Sequence, residues 1–195
     1  MKSVLDSGLF DEVMVSTDSE EIAKIASQYG AKTPYMRSAK NADDVATTTD
    51  VLEEVLMKYM NDGMNFDIAC CIYPTAVLLK SESLISGFKK ISTGNCDTVV
   101  SVMKYGHPIQ RGFKRVNDRI EMIWPENKSK RSQDMETAYH DAGQFYFFKP
   151  DKFLTSKELF TPNTGFVLLS ENEAQDIDNE DDWKMAELKF RYNNG

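Results

Sequence analysis

Two carboxylates stand two residues apart near the end of the chain, in Gln175-Asp176-Ile177-Asp178. In extended backbone, side chains two apart share a face, so Asp176 and Asp178 project together while Ile177 turns to the core. One or two carboxylates plus substrate phosphate oxygens are the usual way a protein holds Mg²⁺. A second reading stands beside it: Asp178 is also suited to cap a helix carrying Trp183. Spacing alone favours the cap, because an Asp-x-Asp pattern is a weak signal in an acidic chain.

Three other groupings could do chemistry. Arg37 to Asp50 (RSAKNADDVATTTD) is a polar loop entering a helix whose N-terminal amides could meet an anion or a nucleotide edge. Its acids would repel phosphate, and on these residues alone a solvated loop with a Thr-rich cap is the favoured reading. Tyr73-Pro74-Thr75-Ala76 ends an apolar run, and in open α/β sheets ligands sit beyond the carboxyl ends of strands. It is also an ordinary strand-ending turn. The basic set Arg111, Lys114, Arg115, Lys128, Lys130 and Arg131, with His107 and His140, could supply an Arg to an acidic sugar. Solvated surface charge accounts for most of it. Asp141 follows His140 and could orient it, but two histidines without metal-ligand spacing make no zinc site. There is no G-x-S-x-G, G-x-G-x-x-G or P-loop lysine motif.

The elements that must position these groups alternate along the chain. Met1 to Gly8 reads as the end of a helix closed by Gly8. Asp11 to Thr17 reads as a buried strand, and Thr17-Asp18-Ser19-Glu20 as a capping box before a helix bearing Ile22, Ile25, Ala26 and Tyr29. Ala31 to Met36 is β-like. A helix is expected from about Asp50 to Asn61, then an interior parallel strand at Phe66 to Tyr73. Ser81 is placed to cap a helix bearing Leu84, Ile85, Phe88 and Ile91, and Asp97 to Met103 is the next strand. This alternation predicts an open, mainly parallel sheet with helices on both faces. After His107 the pattern changes to a hairpin over Gly112 to Trp124, turning at Asn117-Asp118. Gly143 to Phe148 and Gly165 to Leu169 are further strands. A closing helix from about Glu180 has Trp183, Ala186, Leu188 and Phe190 as its expected core face.

Bulk properties narrow the function classes. With 23 Lys and Arg against 31 Asp and Glu, the formal net charge is -8, and no basic stripe is present. Such a chain is a poor partner for a phosphate backbone, so nucleic-acid binding is not expected. No stretch approaches the roughly 20 apolar residues of a membrane helix. Adjacent Cys70 and Cys71 would face opposite sides of a strand, and with Cys96 they make an odd count that builds no disulfide framework. Reduced thiols in a cytoplasmic protein are the expectation.

Taken in order, the segments resemble a known family. SGLFDEVMVSTDSEEIAKIASQYGA (Ser7 to Ala31) is similar to S-G-L-F-D-x-V-x-V-S-T-D-D-x-E-I-A of the CMP-sialic acid synthetases, the acylneuraminate cytidylyltransferases. RSAKNADDVATTTDVL (Arg37 to Leu52) resembles their R-P-x-x-L-A-x-D-x-A-x-x-x-D-V-L. CIYPTAVLLK (Cys71 to Lys80) resembles the Q-P-T-S-P-L-R segment, and QDIDNEDDW (Gln175 to Trp183) the metal-binding D-I-D-x-x-x-D segment. Tyr73 replaces the Gln of sialic acid enzymes. HPIQR (His107 to Arg111) and KRSQDMETAYHDAGQFYF (Lys130 to Phe147) look like the pseudaminic acid branch of the family.

The resemblance implies a single nucleotidyltransferase domain over residues 1–195, of three-layer Rossmann-like α/β fold, with a hairpin insertion at about 107–142 serving dimerisation and the sugar site. It implies that CTP and a nonulosonic acid, here pseudaminic acid, give the CMP-sugar and pyrophosphate; sialic or legionaminic acid and a catalytically incompetent remnant are the alternatives. Asp176 and Asp178 would hold Mg²⁺ and be the catalytic pair. Arg37, Ala46 and Thr48 would lie against the cytidine, and Tyr73 and Gln144 would face the sugar. A cytoplasmic homodimer is implied. The family opens with a strand and an A-R-x-G-S-K-x-x-x-x-K-N loop that holds the triphosphate. Nothing here matches that opening, so the first strand and first loop of the fold are expected to be missing. Lys80 also stands in place of the family's Arg, and Val77 in place of its Pro.

Overall fold

A computed structural model describes residues 1–43 and 45–195 of the chain. Its centre is a four-stranded sheet, built from β1 (Ala69–Ile72), β2 (Thr98–Lys104), β5 (Tyr139–Phe148) and β6 (Thr164–Leu168) in the order β1-β5-β2-β6. β2 and β6 pair in parallel, while β5 pairs antiparallel with both β1 and β2. Three of the four strands therefore run one way and β5 runs against them. The expected, mainly parallel sheet is borne out in strand direction.

The reversed β5 has a simple cause. The chain leaves the carboxyl end of β2 at Lys104, makes an excursion, and returns at that same end. The Tyr105 amide donates to the Ala138 carbonyl at 3.1 Å, closing the base of the excursion. A strand re-entering there must run antiparallel. Within the excursion, β3 (Phe113–Val116) and β4 (Arg119–Met122) form the expected hairpin, with Asn117 at φ 55° in the turn.

Helices cover both faces, as the alternation predicts. Strand side chains alternate between them, so Phe145 and Phe147 face one side and Tyr146 and Phe148 the other. On the first side lie Leu84 and Ile91 of α4 (Ser81–Thr93), with Val99 and Val167. On the second lie Leu56 of α3 (Thr48–Asn61), Phe153 of α5 (Pro150–Ser156) and Val100. Phe145 and Phe147 are 0% exposed, and burying such a ring contributes about 1.5–3 kcal/mol. Cys70 packs in the first cluster and Cys71 in the second, on opposite faces as their adjacency requires.

Several boundaries differ from the sequence reading. Asp11 to Thr17 forms no ladder: its backbone meets Ala31 to Met36 only through a parallel bridge between Met14 and Lys32. Alternation identified extended chain there, but a strand needs a paired neighbour, and its other edge has none among the described residues. β1 is likewise a sheet edge among the described residues, and its ladder is antiparallel. The cap of α2 (Glu20–Gln28) is Ser19, whose hydroxyl accepts from the Ile22 amide at 3.3 Å. Ser81 caps nothing; its hydroxyl instead donates to the Ser3 carbonyl at 2.8 Å, tying α4 to α1 (Lys2–Asp6). In α6 (Glu180–Asn194) only Ala186 is buried, and Trp183, Leu188 and Phe190 are more than half exposed. α5 carries no amphipathic period long enough to announce itself.

Candidate active site

The carboxyl ends of β1, β2 and β6 lie at one end of the sheet, beside the start of β5. A cleft of about 450 Å³ opens near this end, lined by Thr47–Thr49, Tyr73, Asp141, Tyr146 and Lys157–Phe160. Its walls come from four places in the sequence: the first turn of α3, the end of β1, β5, and the loop after α5.

The first wall is fixed by a capping box. The Thr47 side chain accepts from the Asp50 amide at 3.2 Å while the Asp50 carboxylate takes the Thr47 amide at 2.9 Å. The bonds from Thr47 lower the pKa of Asp50. Thr48 comes next, with its hydroxyl 2.9 Å from that of Tyr73. Tyr73 is held in turn by its amide, which donates to the Gln144 carbonyl at 3.1 Å, and its ring lies 5.3 Å from that of Tyr146.

Tyr146 donates to Asp141 Oδ2 at 2.6 Å, and Asp141 Oδ1 accepts the Gly143 amide at 2.9 Å. Gly143 has φ 61°, a left-handed turn that glycine enters without strain. Burial, then the Asp141 bond, push the Tyr146 phenol far above its ordinary value, so it stays a protonated donor. Asp141 thus anchors the Tyr146 hydroxyl in the cleft. Its carboxylate makes no bond to His140, whose Nδ1 instead lies 2.8 Å from the Asp141 backbone oxygen.

Thr48 and Tyr73 are the two expected site residues that meet in this cleft. Arg37 stands apart on a loop, its Nε 3.1 Å from Ser16 Oγ and its Nη2 2.5 Å from the Ser16 carbonyl. That loop is strapped to α3 by Glu54, which accepts from the Ser38 amide at 2.9 Å and hydroxyl at 2.7 Å, and pairs with Asn41 and Lys58. Burial would raise the Glu54 carboxyl, but bonds from Lys58, Ser38 and Asn41 outweigh it and bring it down to about 2. The Ala46 amide donates to Asp43 Oδ1 at 2.8 Å. Gln144 is 0% exposed and absent from the cleft lining; its Nε2 donates to the Ala142 carbonyl at 2.9 Å, while its Oε1 is buried without a partner among the described residues.

Asp176 and Asp178 lie on the segment that follows β6. Both are exposed and Ile177 between them is half-buried, as an extended chain requires. The cap of α6 is Asn179, whose side chain accepts from the Asp181 and Asp182 amides at 2.9 and 3.1 Å. The capping role weighed for Asp178 therefore falls one residue later. No hydrogen bond among the described residues occupies either carboxylate, and a pair of free carboxylates fits a hard cation that takes its other ligands from substrate and water. Among the described residues no cluster of three or more His, Cys, Asp or Glu is preformed for a metal.

Residues 1–182 match the family described as Cytidylyltransferase. The chain belongs to the cytidylyltransferase family. It is 34% identical, over 99% of its length and 84% of the relative's, to the pseudaminic acid cytidylyltransferase of Campylobacter jejuni serotype O:2. Identity to the protein of that name from serotype O:23/36 is 32%, with the same coverage. In fold, this cytidylyltransferase is similar to CMP:2-keto-3-deoxy-manno-octonic acid synthetase complexed with CTP, at a TM-score of 0.63 and 13% identity, over 99% of this chain and 87% of that one. The sequence reading missed Tyr146, Lys157 and Phe160, and it placed Asp141 beside His140 rather than in the cleft. Only Tyr146 had a usable signal, its even-numbered alternation with Phe148 along β5.

Proposed function

We propose that this cytidylyltransferase activates pseudaminic acid, converting it with CTP to CMP-pseudaminic acid and pyrophosphate. The observation that carries the reading is the 34% and 32% identity to two pseudaminic acid cytidylyltransferases across nearly the whole chain. The sugar's anomeric hydroxyl releases its proton to solvent as its oxygen bonds to the α-phosphorus, the bond from that phosphorus to the oxygen bridging to the β-phosphate breaks, and pyrophosphate leaves with that oxygen. Such a transfer depends chiefly on positioning and charge neutralisation.

In this reading Arg37, Ala46 and Thr48 lie toward the cytidine and Tyr73 toward the sugar. The buried Gln144 amide stands beside Tyr73 in the sheet and supports the sugar wall from within. Asp176 and Asp178 hold Mg²⁺, which when bound would neutralise phosphate charge. The chain works as a homodimer joined through the hairpin, whose Phe113 and Ile120 are exposed. Its free Cys70, Cys71 and Cys96 suit the reducing cytoplasm, and no helix among the described residues is long and apolar enough to cross a membrane.

The test is a panel of pseudaminic, legionaminic and N-acetylneuraminic acids with CTP and Mg²⁺. The reading expects kcat/KM for pseudaminic acid to exceed that for N-acetylneuraminic acid by roughly tenfold or more, about 1.4 kcal/mol of transition-state discrimination. Equal values would remove the choice of sugar.

A further inference from the structure

We infer that Lys157 is the residue that reads the carboxylate of the sugar acid. This assignment rests on the proposed function, because it takes the acceptor to be a nonulosonic acid and hence an anion at neutral pH. The cleft that would receive it carries Asp141 and Glu158, two acids, against Lys157, the one cation among its described lining residues. An anionic substrate entering a cleft with two carboxylates needs that ammonium, or it meets net repulsion.

The backbone supplies a separate observation. Lys157 closes α5 at φ 57° and ψ 30°, with its amide bonded to the Phe153 carbonyl at 2.7 Å. A left-handed residue at a helix C-terminus is usually glycine or asparagine, and a long side chain there costs about 1 kcal/mol. Lysine thus stands at this position against a backbone preference, as strained residues at ligand sites do.

The ammonium is held ready rather than locked. Its Nζ lies 2.5 Å from Glu53 Oε1 on α3, in a pair whose side chains are 38% and 44% exposed. Ion pairs of that exposure contribute only about 0–1 kcal/mol. Exchanging Glu53 for a substrate carboxylate therefore costs little. Glu53 is not among the residues lining the cleft, so until substrate arrives the Lys157 ammonium rests on α3 beside it.

The anion could come from either substrate, a sugar carboxylate or a CTP phosphate, and steady-state kinetics separates them. Lys157→Gly suits the left-handed backbone, so the variant folds and its melting temperature checks that. Its KM for pseudaminic acid should rise about tenfold or more while KM for CTP stays within about twofold. Lys157→Arg should recover most of the loss. The carboxamide analogue of the sugar should no longer be disfavoured against the acid in Lys157→Gly. An unchanged KM for the acid in a working enzyme would overturn the assignment, and so would a rise in KM for CTP alone, which would put a phosphate at Lys157. A wild-type protein that turns over no nonulosonic acid would instead contradict the proposed function itself.

Discussion

Among the described residues Asp176 and Asp178 have carboxylates left free, whereas three other acids are tied down. Glu54 is strapped to Ser38, Asn41 and Lys58, Asp50 to Thr47, and Asp141 to Tyr146 and Gly143. Since Asn179 caps α6, neutralising either free acid should leave folding almost unchanged. If both hold Mg²⁺ on substrate phosphates, Asp176→Asn and Asp178→Asn should each cut turnover by about 100-fold or more, on the order of 3 kcal/mol. Melting curves beside rate measurements separate that outcome from a structural role, and a silent Asp178→Asn would move the metal elsewhere. Glu54 makes the opposite prediction. Its folded pKa of about 2 lies below the ordinary carboxylate value of 4.5. A depressed carboxylate stabilises the fold fully above its unfolded pKa and loses that contribution as pH falls through the folded one. Stability should therefore decline from about pH 4.5 toward pH 2, and Glu54→Gln should flatten that part of a denaturation-versus-pH curve. The Asp pair was legible in the sequence because period-two spacing survives in any extended segment. Glu54 was not, since its partners Ser38 and Asn41 are brought to it only by the fold.

At the scale of elements, helix α4 presses against the sheet at a glycine. A Cβ built on Gly87 would sit 2.8 Å from Phe147 Cε2 and 3.1 Å from Phe145 Cε2. Those rings are fully buried, so they have no room to give. Gly87→Ala should gain helix propensity, worth up to about 1 kcal/mol, yet lose about 1–3 kcal/mol to overpacking. Net destabilisation in urea titration is the expected result, and a more stable protein would show that α4 can slide. The sequence read α4, α3 and the hairpin well because each carries its own period or turn residues. It misread Asp11–Thr17 and the interior, parallel place given to β1, and it assigned β5 no direction. A strand's pairing depends on which neighbour the chain delivers, and local alternation says nothing of that. α6 shows the limit from the other side: its apolar residues recur, but tertiary contact buries only Ala186 among them.

For the whole molecule, the least covered part is the hairpin of β3 and β4. One of its faces carries Phe113, Arg115, Ile120 and Met122, with Phe113 56% and Ile120 67% exposed. A two-stranded sheet is marginal on its own, so a second copy of the chain is its natural support in the proposed homodimer. Ile120→Asp should shift sedimentation from dimer to monomer, whereas a wild type that sediments as a monomer would remove the dimer from the account. With a net charge of -8, the proposed reading has two anionic substrates held by local groups, Lys157 and a cation between Asp176 and Asp178, rather than by the field of the whole protein. All of this converges on one reaction. Phosphorus NMR of the protein with CTP, Mg²⁺ and pseudaminic acid follows it atom by atom. The account predicts that CTP resonances give way to one phosphodiester and one pyrophosphate in equal amounts, only when the sugar acid is present. Release of CMP or CDP without the sugar, or CTP left intact with it, would contradict cytidylyl transfer.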